Sequence, residues 1–439
     1  MSPSVSSIVW LDSANQHLVD GQRSLLVLEM RRIASLRVGD EEVWVETRAD
    51  LSASAAPADP WARLDQLVAD FRGREPGCPA GLVAWLSYES GFLRADGPSM
   101  KRPTAPIPLL EVYESQAALV EEHGVVQLIT RGETVEEAKK RARTWLHRMR
   151  AVEAENAPLP PLPPLPPIPK LTLREPGDRA AYHAAITRIL AAIADGELQQ
   201  VCPTYPIRLE RPKALDDLYL HLRARSPASY CAFLRLPEIA CASTSPERLF
   251  SIEGRTISAR PMKGTRKRGV LPDAELAKEL QNNPKDRSEN KMIADLLLEE
   301  LRGICTEGSA AITEAFSIEF YANVLQMTST VEGQLAEGVG PFSAFAALSP
   351  PGSMTGFPKV AACRLLEELE PSPRGLYSGS IAWIDGGVRA QFSVVIRSLQ
   401  AWGDEASWHV GGGIVAASNA ADEWDESRAK AATLLDLWS

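Results

Sequence analysis

The stretch that decides the fold runs from Ser378 to Ala416 and reads SGSIAWIDGGVRAQFSVVIRSLQAWGDEASWHVGGGIVA. It contains three apolar, β-rich segments, Ser378–Asp385, Val388–Trp402 and Trp408–Ala416, separated by short turns. Segments of this composition bounded by Gly and Asp are typical of strands. Because the strands follow one another without an intervening helical pattern, antiparallel pairing is favoured over βαβ units. We therefore predict the α+β class, with large antiparallel sheets.

Other segments of strand length lie upstream of this stretch. In the first part of the chain they are residues 24–30, 41–48, 81–90, 108–114 and 124–131. In the second part they are residues 231–236, 248–254 and 255–261. Periodic apolar residues predict helices over Val135–Ala154, Asp178–Asp195, Arg287–Gly303, Pro358–Leu369 and Asp422–Leu437. Strands come in runs rather than in strict alternation with helices, which supports the α+β prediction.

A proline run divides the chain. Residues 158–169 read PLPPLPPLPPIP, which favours extended polyproline II because proline fixes φ and lacks an amide donor. We therefore divide the sequence into an N-terminal region, residues 1–157, a linker, residues 158–170, and a C-terminal region, residues 171–439. The linker is interpreted either as a docking site for a proline-binding partner or as a stiff surface connector, and the second reading is favoured.

The composition excludes several classes of protein. The 439 residues include 47 Lys and Arg against 57 Asp and Glu, a formal charge of −10, with 45% hydrophobic and 24% charged residues. Such a chain is neither disordered nor fibrous, and its acidic balance argues against nucleic-acid binding. We expect no membrane span, because no apolar run approaches ~18 residues, and no signal peptide. The six scattered cysteines predict reduced thiols in a cytoplasmic protein.

Two pairs of carboxylates with the same spacing are the strongest chemical signal. Asp286 and Glu289 share one face of a predicted helix, and so do Glu423 and Glu426. Turned toward each other, the two faces would give an all-oxygen site for Mg²⁺. The alternative is a pair of solvated helix surfaces with i,i+4 ion pairs, such as Glu426 with Lys430. Spacing alone favours this alternative.

A basic segment follows one of the predicted strands. Its five cations are Arg260, Lys263, Arg266, Lys267 and Arg268. In an acidic protein such a cluster is expected to hold a small anion, although a solvated turn or a nucleic-acid patch would have the same composition. Lys263 comes just before a Gly, where a strand meets a loop, and crowding by cations favours its use as a nucleophile. Glu247, at the head of the preceding strand, is the predicted acid or base partner.

Two glycine-rich turns would let backbone approach a ligand. PPGSMTGFPK, residues 350–359, precedes a predicted helix whose amides could receive an anion. VGGGIV places Gly411, Gly412 and Gly413 after a strand. Each turn is a weak signal alone, since such glycines also mark bulges and close packing. None of the histidines forms HExxH, and the sequence has neither a GxSxG elbow nor a GxGxxG opening of a βαβ unit.

The order of these motifs carries a resemblance. SPERLF, PMKGT, KDRSENKMIADLL, PPGSMTGFPK, GLYSGSIAWID, VIRS, GGGIV and EWDESRAKA follow one another from about Ala180 to the C-terminus. This series resembles the chorismate-utilising enzymes, among them anthranilate synthase component I, aminodeoxychorismate synthase component I and the isochorismate and salicylate synthases. The N-terminal region matches more loosely, through WLDSA, GLVAWLSYESG and LLEVYES. The resemblance implies two large antiparallel β-sheets packed together, with helices on the outside.

Two positions distinguish members within the family. Lys263 stands in PMKGT, where aminodeoxychorismate synthases carry Lys and the anthranilate and isochorismate enzymes generally carry Ala. Gln200 stands where isochorismate-type enzymes have a Lys that activates water. The resemblance therefore implies amination of chorismate to 4-amino-4-deoxychorismate, on the way to 4-aminobenzoate and folate. The alternatives are anthranilate synthase component I, 2-amino-2-deoxyisochorismate synthase, and a degenerate scaffold that displays the proline run.

The resemblance also implies roles for individual residues. Lys263 would attack ring carbon 2 while Glu247 protonates the departing 4-hydroxyl. Mg²⁺ would be held by Glu289 and Glu426, supported by Asp286 and Glu423, and would bind the ring carboxylate. The residues at substrate-binding positions are Gln200, Thr355, Tyr377, Arg397, Gly411, Gly412, Gly413 and Lys430. Since the sequence has no GxCxGx nucleophile turn, ammonia would come from solution or from a separate glutamine amidotransferase subunit.

Several residues depart from the family pattern. Gln326 stands where members usually have a His that assists aromatisation, which fits a product that is not aromatised. The other departures are Cys202 for Asn, Glu299-Glu300 for Asn-Asp, and Ser349-Pro350-Pro351 for Phe-Pro-Gly. In WLDSA, Asp12 and Ser13 lie where members bind tryptophan, and the alternative is a simple turn.

Overall fold

The structure is a computed structural model that describes residues 7–12, 23–38, 43–47, 59–93, 108–122, 125–132, 134–155, 164–269, 271–321 and 324–437. The helices are α1 (Pro60–Arg74), α2 (Val135–Glu155), α3 (Arg179–Ala194), α4 (Leu215–Arg225), α5 (Asp273–Asn282), α6 (Pro284–Arg302), α7 (Pro341–Leu348), α8 (Gly352–Thr355), α9 (Lys359–Leu369) and α10 (Ala420–Leu435), with a 3₁₀ turn at Glu89–Phe92.

The strands follow one another in runs, and the helices lie between these runs. Those before the proline run are β1 (Ile8–Asp12), β2 (Arg23–Val38), β3 (Val43–Thr47), β4 (Leu82–Leu86), β5 (Leu110–Glu122) and β6 (Val125–Thr130). Those that follow are β7 (Leu173–Glu175), β8 (Gln200–Val201), β9 (Thr204–Glu210), β10 (Tyr230–Arg235), β11 (Ala240–Ser245), β12 (Arg248–Glu253), β13 (Thr256–Ala259), β14 (Met262–Lys267), β15 (Ala311–Phe320), β16 (Val324–Gln334), β17 (Gly356–Phe357), β18 (Ser380–Ile384), β19 (Arg389–Ser393), β20 (Ser398–Trp402) and β21 (Glu405–Gly411).

Side-chain caps set where several predicted helices begin. Asp178 accepts a hydrogen bond from the Ala181 amide at the start of α3, and Asn283 and Asn419 cap α6 and α10 in the same way. A side-chain oxygen at this position satisfies one of the amides that an α-helix leaves free in its first turn. The five helices predicted from periodicity are present, with bounds that differ by about three residues or fewer.

Antiparallel hydrogen bonding joins nineteen strands into one continuous network. Its main order is β7–β9–β21–β20–β11–β10–β1–β2–β5–β4–β18–β19–β12–β13–β16–β14, with β3, β6 and β15 attached to β2, β5 and β16. A separate two-stranded sheet pairs β8 with β17. The predicted α+β class with antiparallel strands is confirmed. Strands of the N-terminal region lie inside the network, since β1 pairs with β10 and β4 pairs with β18.

Two buried clusters fill the space between the helices and the strands. One joins α1, α6 and α7 to β4, β12 and β19, and the rings of Phe250 and Phe392 stack at its centre, 4.5 Å apart. The other joins α3, α4, α9 and α10 to β9, β20 and β21 around the buried Trp408. The candidate site residues come from elements that border both clusters, β14 and α6 on one side and β21 and α10 on the other.

Some elements were not predicted from the sequence. They are helices α1, α4, α5 and α7 and the long hairpin of β15 and β16. Helices α1 and α4 bury apolar residues at helical spacing, so their sequences carried a signal that the prediction missed. Strand β15 has no buried residue along its length, so it lacks the alternation of a half-buried strand. The segment Val388–Trp402, predicted as one strand, forms two strands, β19 and β20. The chain leaves the sheet between them, where Arg397 adopts a positive φ of 51°.

The described part of the linker packs against the fold through one side chain. His221 of α4 lies with Nε2 2.6 Å from the carbonyl oxygen of Pro166, while Leu165 and Ile168 are exposed. Residues 158–163 of the predicted linker lie outside the described residues. Among the helices that the structure describes, none combines the length and apolar character needed to cross a membrane.

Candidate active site

A β-bulge points Lys263 out of strand β14. Met262 pairs with Thr328 and Thr265 pairs with Gln326, so β14 has one residue more than β16 between these positions. Gly264 supplies the positive φ of 89° that this bulge needs. An extra residue in one strand re-aims the side chain beside it, and here the bulge sets the direction of Lys263.

Glu247 is buried at the start of β12, with 8% of its surface exposed. Burial raises the pKa of its carboxyl, while the hydrogen bond from Ser353 and the positive charges of Lys263 and Arg397 lower it. Ser353 Oγ donates to Glu247 Oε1 over 2.7 Å. The net raised pKa keeps a fraction of the carboxyl protonated at higher pH than usual, which suits a proton donor. The structure therefore places Glu247 within electrostatic reach of Lys263, as predicted.

Two glycines of VGGGIV leave room for neighbouring side chains. A Cβ at Gly412 would lie 2.7 Å from Glu423 Oε2, and one at Gly413 would lie 3.1 Å from Gln200 Nε2 and 3.4 Å from Lys263 Nζ. Gln200, Lys263 and Gly413 therefore converge on one point. Gln200 is 1% exposed and neither end of its amide has a hydrogen-bond partner. Since buried amides are normally paired, Gln200 is suited to receive a ligand here.

Arg397 brings a partly buried guanidinium to the same region. Its positive φ is held by two bonds to its carbonyl, from Thr244 N and Thr244 Oγ1, each 3.1 Å long. Burial lowers the pKa of Arg397, and the charges of Tyr321 and Glu247 oppose this. Among the described residues Arg397 forms no ion pair. Its partly buried guanidinium can therefore bind an anionic group. A guanidinium is well suited to a bidentate carboxylate contact.

Thr355 and Tyr377, two further predicted substrate-binding residues, are both buried. Thr355 is fully buried; its hydroxyl donates to Pro351 O over 3.0 Å, and its carbonyl accepts from Cys202 N. The ring of Tyr377 stacks on His409, with 5.1 Å between centroids. Burial lowers the pKa of His409 to about 3, so this supporting ring is neutral. His409 was not predicted as a site residue, although it lies two residues before Gly411.

The prediction that the five cations of the basic segment hold a small anion together is wrong. Arg260 pairs with Glu319 over 2.8 Å, Arg266 pairs with Glu279 and Asp286, and Arg268 pairs with Asp273. Carboxylates distant in sequence thus neutralise all three arginines. Lys267 is exposed. Lys263, which forms no ion pair among the described residues, is left as the cation that faces the site.

The two predicted carboxylate pairs lie on α6 and α10, and lysines are their neighbours. Lys285 Nζ lies 4.0 Å from Glu289 Oε1. Lys430 Nζ lies 2.8 Å from Glu426 Oε1 and donates to Gly411 O over 3.0 Å. The i,i+4 pair of the alternative reading is therefore present. Lys430 is the main cause of the lowered pKa of Glu426, and the charge of Lys285 on α6 makes a smaller contribution in the same direction.

The donor chemistry of this region fits Mg²⁺. Burial, with the neighbouring charge of Glu426, raises the pKa of Glu423, whereas Lys430 lowers the pKa of Glu426. Of the four carboxylates, Glu423 is therefore the one without an ion pair among the described residues. Carboxylate oxygens are the ligands that Mg²⁺ takes from proteins, usually one or two together with waters. In the part of the chain that the structure describes, no three His, Cys, Asp or Glu side chains are grouped closely enough to hold an ion.

Several departures from the family pattern have local explanations. Glu300 pairs with Lys359 of the GFPK turn, so it ties α6 to α9. Gln326 is 6% exposed and its Oε1 has no hydrogen-bond partner. Asp12 ends β1, accepts from Ser24 and pairs with Arg223, whereas Ser13 lies outside the described residues.

The family model described as chorismate binding enzyme matches residues 24–436. The chain belongs to this family. Two relatives are aminodeoxychorismate synthases, from Streptomyces griseus, 34% identical over 98% of this chain, and from Streptomyces pristinaespiralis, 37% identical over 81%. The chain spans about 60% and 50% of their lengths. A third relative is anthranilate synthase component 1 of Pseudomonas aeruginosa, 30% identical over 95% of this chain and 88% of its own length.

A solved structure shares the fold. The anthranilate synthase component I of Streptococcus pneumoniae superposes with a TM-score of 0.76 at 20% identity, over 95% of this chain and 94% of that one. The resemblance to chorismate-utilising enzymes and the fold class that it implied are confirmed. The roles of the individual site residues stay predictions.

Proposed function

We propose that the protein is aminodeoxychorismate synthase component I, which converts chorismate and ammonia to 4-amino-4-deoxychorismate. The observation that carries the proposal is the placement of Lys263. The bulge at Gly264 turns it toward Gln200 and Gly413, and it acts electrostatically on Glu247. A nucleophile next to a buried acid is what the covalent route to this product requires.

The proposed reaction has two steps. Lys263 Nζ, as the neutral amine, forms a bond to ring carbon 2 of chorismate, both ring double bonds shift by one position, and the bond from carbon 4 to its hydroxyl breaks. Glu247 gives its proton to this hydroxyl, which leaves as water. Ammonia then forms a bond to carbon 4, both double bonds shift back, and the bond from carbon 2 to Lys263 breaks, which releases the neutral amine. The Glu247 carboxylate takes a proton from the new ammonium group on carbon 4, so the enzyme returns to its starting state.

The proposed substrate contacts follow from the charges. Arg397, which has no ion pair among the described residues, supplies a partner for a chorismate carboxylate. Glu289 and Glu426 would hold Mg²⁺, with Asp286 and Glu423 beside them, and the bound ion would neutralise the ring carboxylate. Gln200, Thr355, Tyr377, the amides of Gly411–Gly413 and Lys430 complete the proposed pocket.

The source of ammonia and the compartment are part of the same proposal. Relatives named as component 1 of a synthase support a separate glutamine amidotransferase subunit as the ammonia donor. All six cysteines are free thiols, as expected of a protein that works in the reducing cytoplasm. The 4-aminobenzoate branch that leads to folate would consume the product.

A second candidate is anthranilate synthase component I. The Pseudomonas aeruginosa relative of that name covers nearly the whole chain. Against it stands Lys263, where such enzymes generally carry Ala. An amide at position 326 cannot take up the ring proton that aromatisation requires. The His that Gln326 replaces is, however, also common among aminodeoxychorismate synthases, so Lys263 carries the distinction.

The product of the purified full-length chain tests the proposal. Chorismate, Mg²⁺ and an ammonium salt are supplied, and an added aminodeoxychorismate lyase converts the product to 4-aminobenzoate. We expect 4-aminobenzoate to form, and to disappear when the lyase or the ammonium is left out or Mg²⁺ is chelated. Formation of anthranilate and pyruvate without the lyase would contradict the proposal and favour the second candidate.

A further inference from the structure

Arg374 is a fully buried arginine that contacts three segments, each of which carries a proposed pocket residue. Arg374 is 1% exposed, and all five of its N–H donors are used. Two donors bind Glu370, Nη2 to Oε1 over 2.7 Å and Nε to Oε2 over 2.9 Å. Glu370 thus neutralises the guanidinium with the parallel geometry that makes such pairs strong.

The three remaining bonds of Arg374 go to different parts of the chain. Nη1 donates to Met354 O over 2.7 Å and to Ser378 Oγ over 3.1 Å, and Nη2 donates to Cys202 O over 2.9 Å. Each acceptor is a close sequence neighbour of a proposed substrate-binding residue. Met354 precedes Thr355, Ser378 follows Tyr377, and Cys202 lies two residues after Gln200. One side chain thus contacts all three segments, through two backbone carbonyls and one serine hydroxyl.

The rest of the surroundings fixes Arg374 itself. Its amide donates to Glu89 Oε1 over 2.8 Å, its carbonyl accepts from Gln400 Nε2 over 2.7 Å, and its guanidinium lies 4.4 Å from the ring centroid of Tyr88. Glu370 is held in turn by Thr204, through its amide and its hydroxyl. All five donors of Arg374 and both carboxylate oxygens of Glu370 are hydrogen-bonded, and satisfied buried polar groups of this kind rigidify what they join.

We propose that Arg374 is a positioning residue that sets the relative places of Gln200, Thr355 and Tyr377 in the chorismate pocket. The inference rests on the proposed function only in taking these three residues as pocket walls. Lysine cannot replace Arg374, because a single ammonium has three donors at one point, whereas the guanidinium spreads five over a rigid plane. A lysine can keep the charge pair with Glu370 but cannot reach all three segments.

Arg131 offers a matched control in the N-terminal region. It is 7% exposed, pairs with Glu114 over 2.6 Å, donates to Ser115 O over 3.1 Å, and lies 4.8 Å from the ring centroid of Phe71. It therefore shares burial, charge pairing, a carbonyl contact and a ring contact with Arg374. None of these contacts involves a proposed pocket residue.

The experiment compares Arg374→Lys with Arg131→Lys in the full-length protein. Hydrogen exchange is measured for peptides that cover residues 199–204, 354–357 and 377–379. We expect exchange in all three to be at least about tenfold faster in Arg374→Lys, which corresponds to about 1.4 kcal/mol of lost local stability, and unchanged in Arg131→Lys. Exchange that is equally fast in both variants, or slow in both, would overturn the positioning role.

Chorismate binding and turnover give the second measurement. Calorimetry is expected to show a Kd about tenfold higher for Arg374→Lys, and KM is expected to rise more than kcat falls, because the pocket walls bind the ground state and the transition state alike. Arg131→Lys should match the wild type.

If Arg374→Lys does not fold, Glu370→Gln, which keeps the side-chain shape, takes its place, and the same two readouts decide. An unchanged Kd in a variant with a lowered melting temperature would reduce Arg374 to a stabilising residue. A wild-type protein that did not bind chorismate would contradict the proposed function, while the exchange comparison would still decide the positioning role.

Discussion

Ser353 Oγ donates a 2.7 Å hydrogen bond to Glu247 Oε1, so the buried carboxyl has one neutral donor that favours its charged form. Burial acts in the opposite direction and prevails, since the pKa of Glu247 is raised. The protonation of Glu247 is therefore set by a balance between desolvation and one hydroxyl.

This balance predicts the pH dependence of turnover. If Glu247 donates a proton, kcat/KM is high below its raised pKa and falls as the pH rises through it. Ser353→Ala removes a contact that lowers the pKa, so the falling limb should move to higher pH. Glu247→Gln should lose this limb and at least about a hundredfold in rate. The measurement is the pH profile of kcat/KM for the three proteins, and an identical limb in Glu247→Gln would assign it to another group.

The second prediction concerns the covalent route through Lys263. Lys263→Ala should lose at least about a hundredfold in kcat for aminodeoxychorismate formation, since no other described lysine is placed beside Gln200 and Gly413. Lys267→Ala is the matched control, because Lys267 ends the same strand and is exposed. With chorismate and no ammonia, the wild-type mass should rise by one chorismate minus one water. A normal rate in Lys263→Ala would exclude covalent catalysis by this residue.

Local sequence signals predicted the helices well and the strand at Lys263 less well. The predicted helix start at Asp178 is the N-cap of α3, while α6 and α10 begin after Asn283 and Asn419, within about three residues of the predicted starts. A strand was predicted to meet a loop at Lys263 and Gly264, whereas β14 continues through these residues with a bulge. Signals of this kind depend on neighbours within one turn or one strand pair, which a sequence shows directly.

The errors came from partners that are distant in sequence. The basic segment was interpreted as an anion site because its five cations lie close together, yet Glu319 of β15 and Glu279 of α5 neutralise Arg260 and Arg266. No role was predicted for Arg374, because its partners are also distant in sequence. An isolated Arg in a loop has no pattern, and only the folded chain brings Cys202, Met354 and Ser378 to it.

The third prediction concerns Lys285, which would compete with the proposed Mg²⁺ for the same carboxylates. Its ammonium lies 4.0 Å from Glu289. Two unit charges about 4 Å apart in water interact by about 1 kcal/mol, so Lys285→Ala should tighten Mg²⁺ binding about fivefold. Lys291→Ala is the control, because Lys291 is exposed on the same helix and pairs with Asp295. Calorimetric titration with Mg²⁺ measures both; weaker binding in Lys285→Ala would show that Lys285 supports the site rather than competing for it.

The fourth prediction concerns how the regions on either side of the proline run depend on each other. Asp65 of α1 accepts hydrogen bonds from the amides of Gly340, Phe342 and Ser343, over 3.2, 2.7 and 3.0 Å. A residue of the N-terminal region therefore caps α7, which lacks a side-chain cap of its own.

We propose that the N-terminal and C-terminal regions fold as one unit, with the linker as a surface crossing between them. Asp65→Ala should then destabilise the whole chain by about 1–2 kcal/mol, the usual cost of losing a cap, whereas Asp70→Ala, exposed on the same helix, should have little effect. Urea unfolding followed by Trp fluorescence measures both, and Asp65→Ala should lower the midpoint of a single transition. Residues 1–157 and 171–439, produced separately, should each fail to fold and should recover chorismate binding when they are produced together. Two separate transitions in the intact chain, or a fragment that binds chorismate alone, would instead show independent domains.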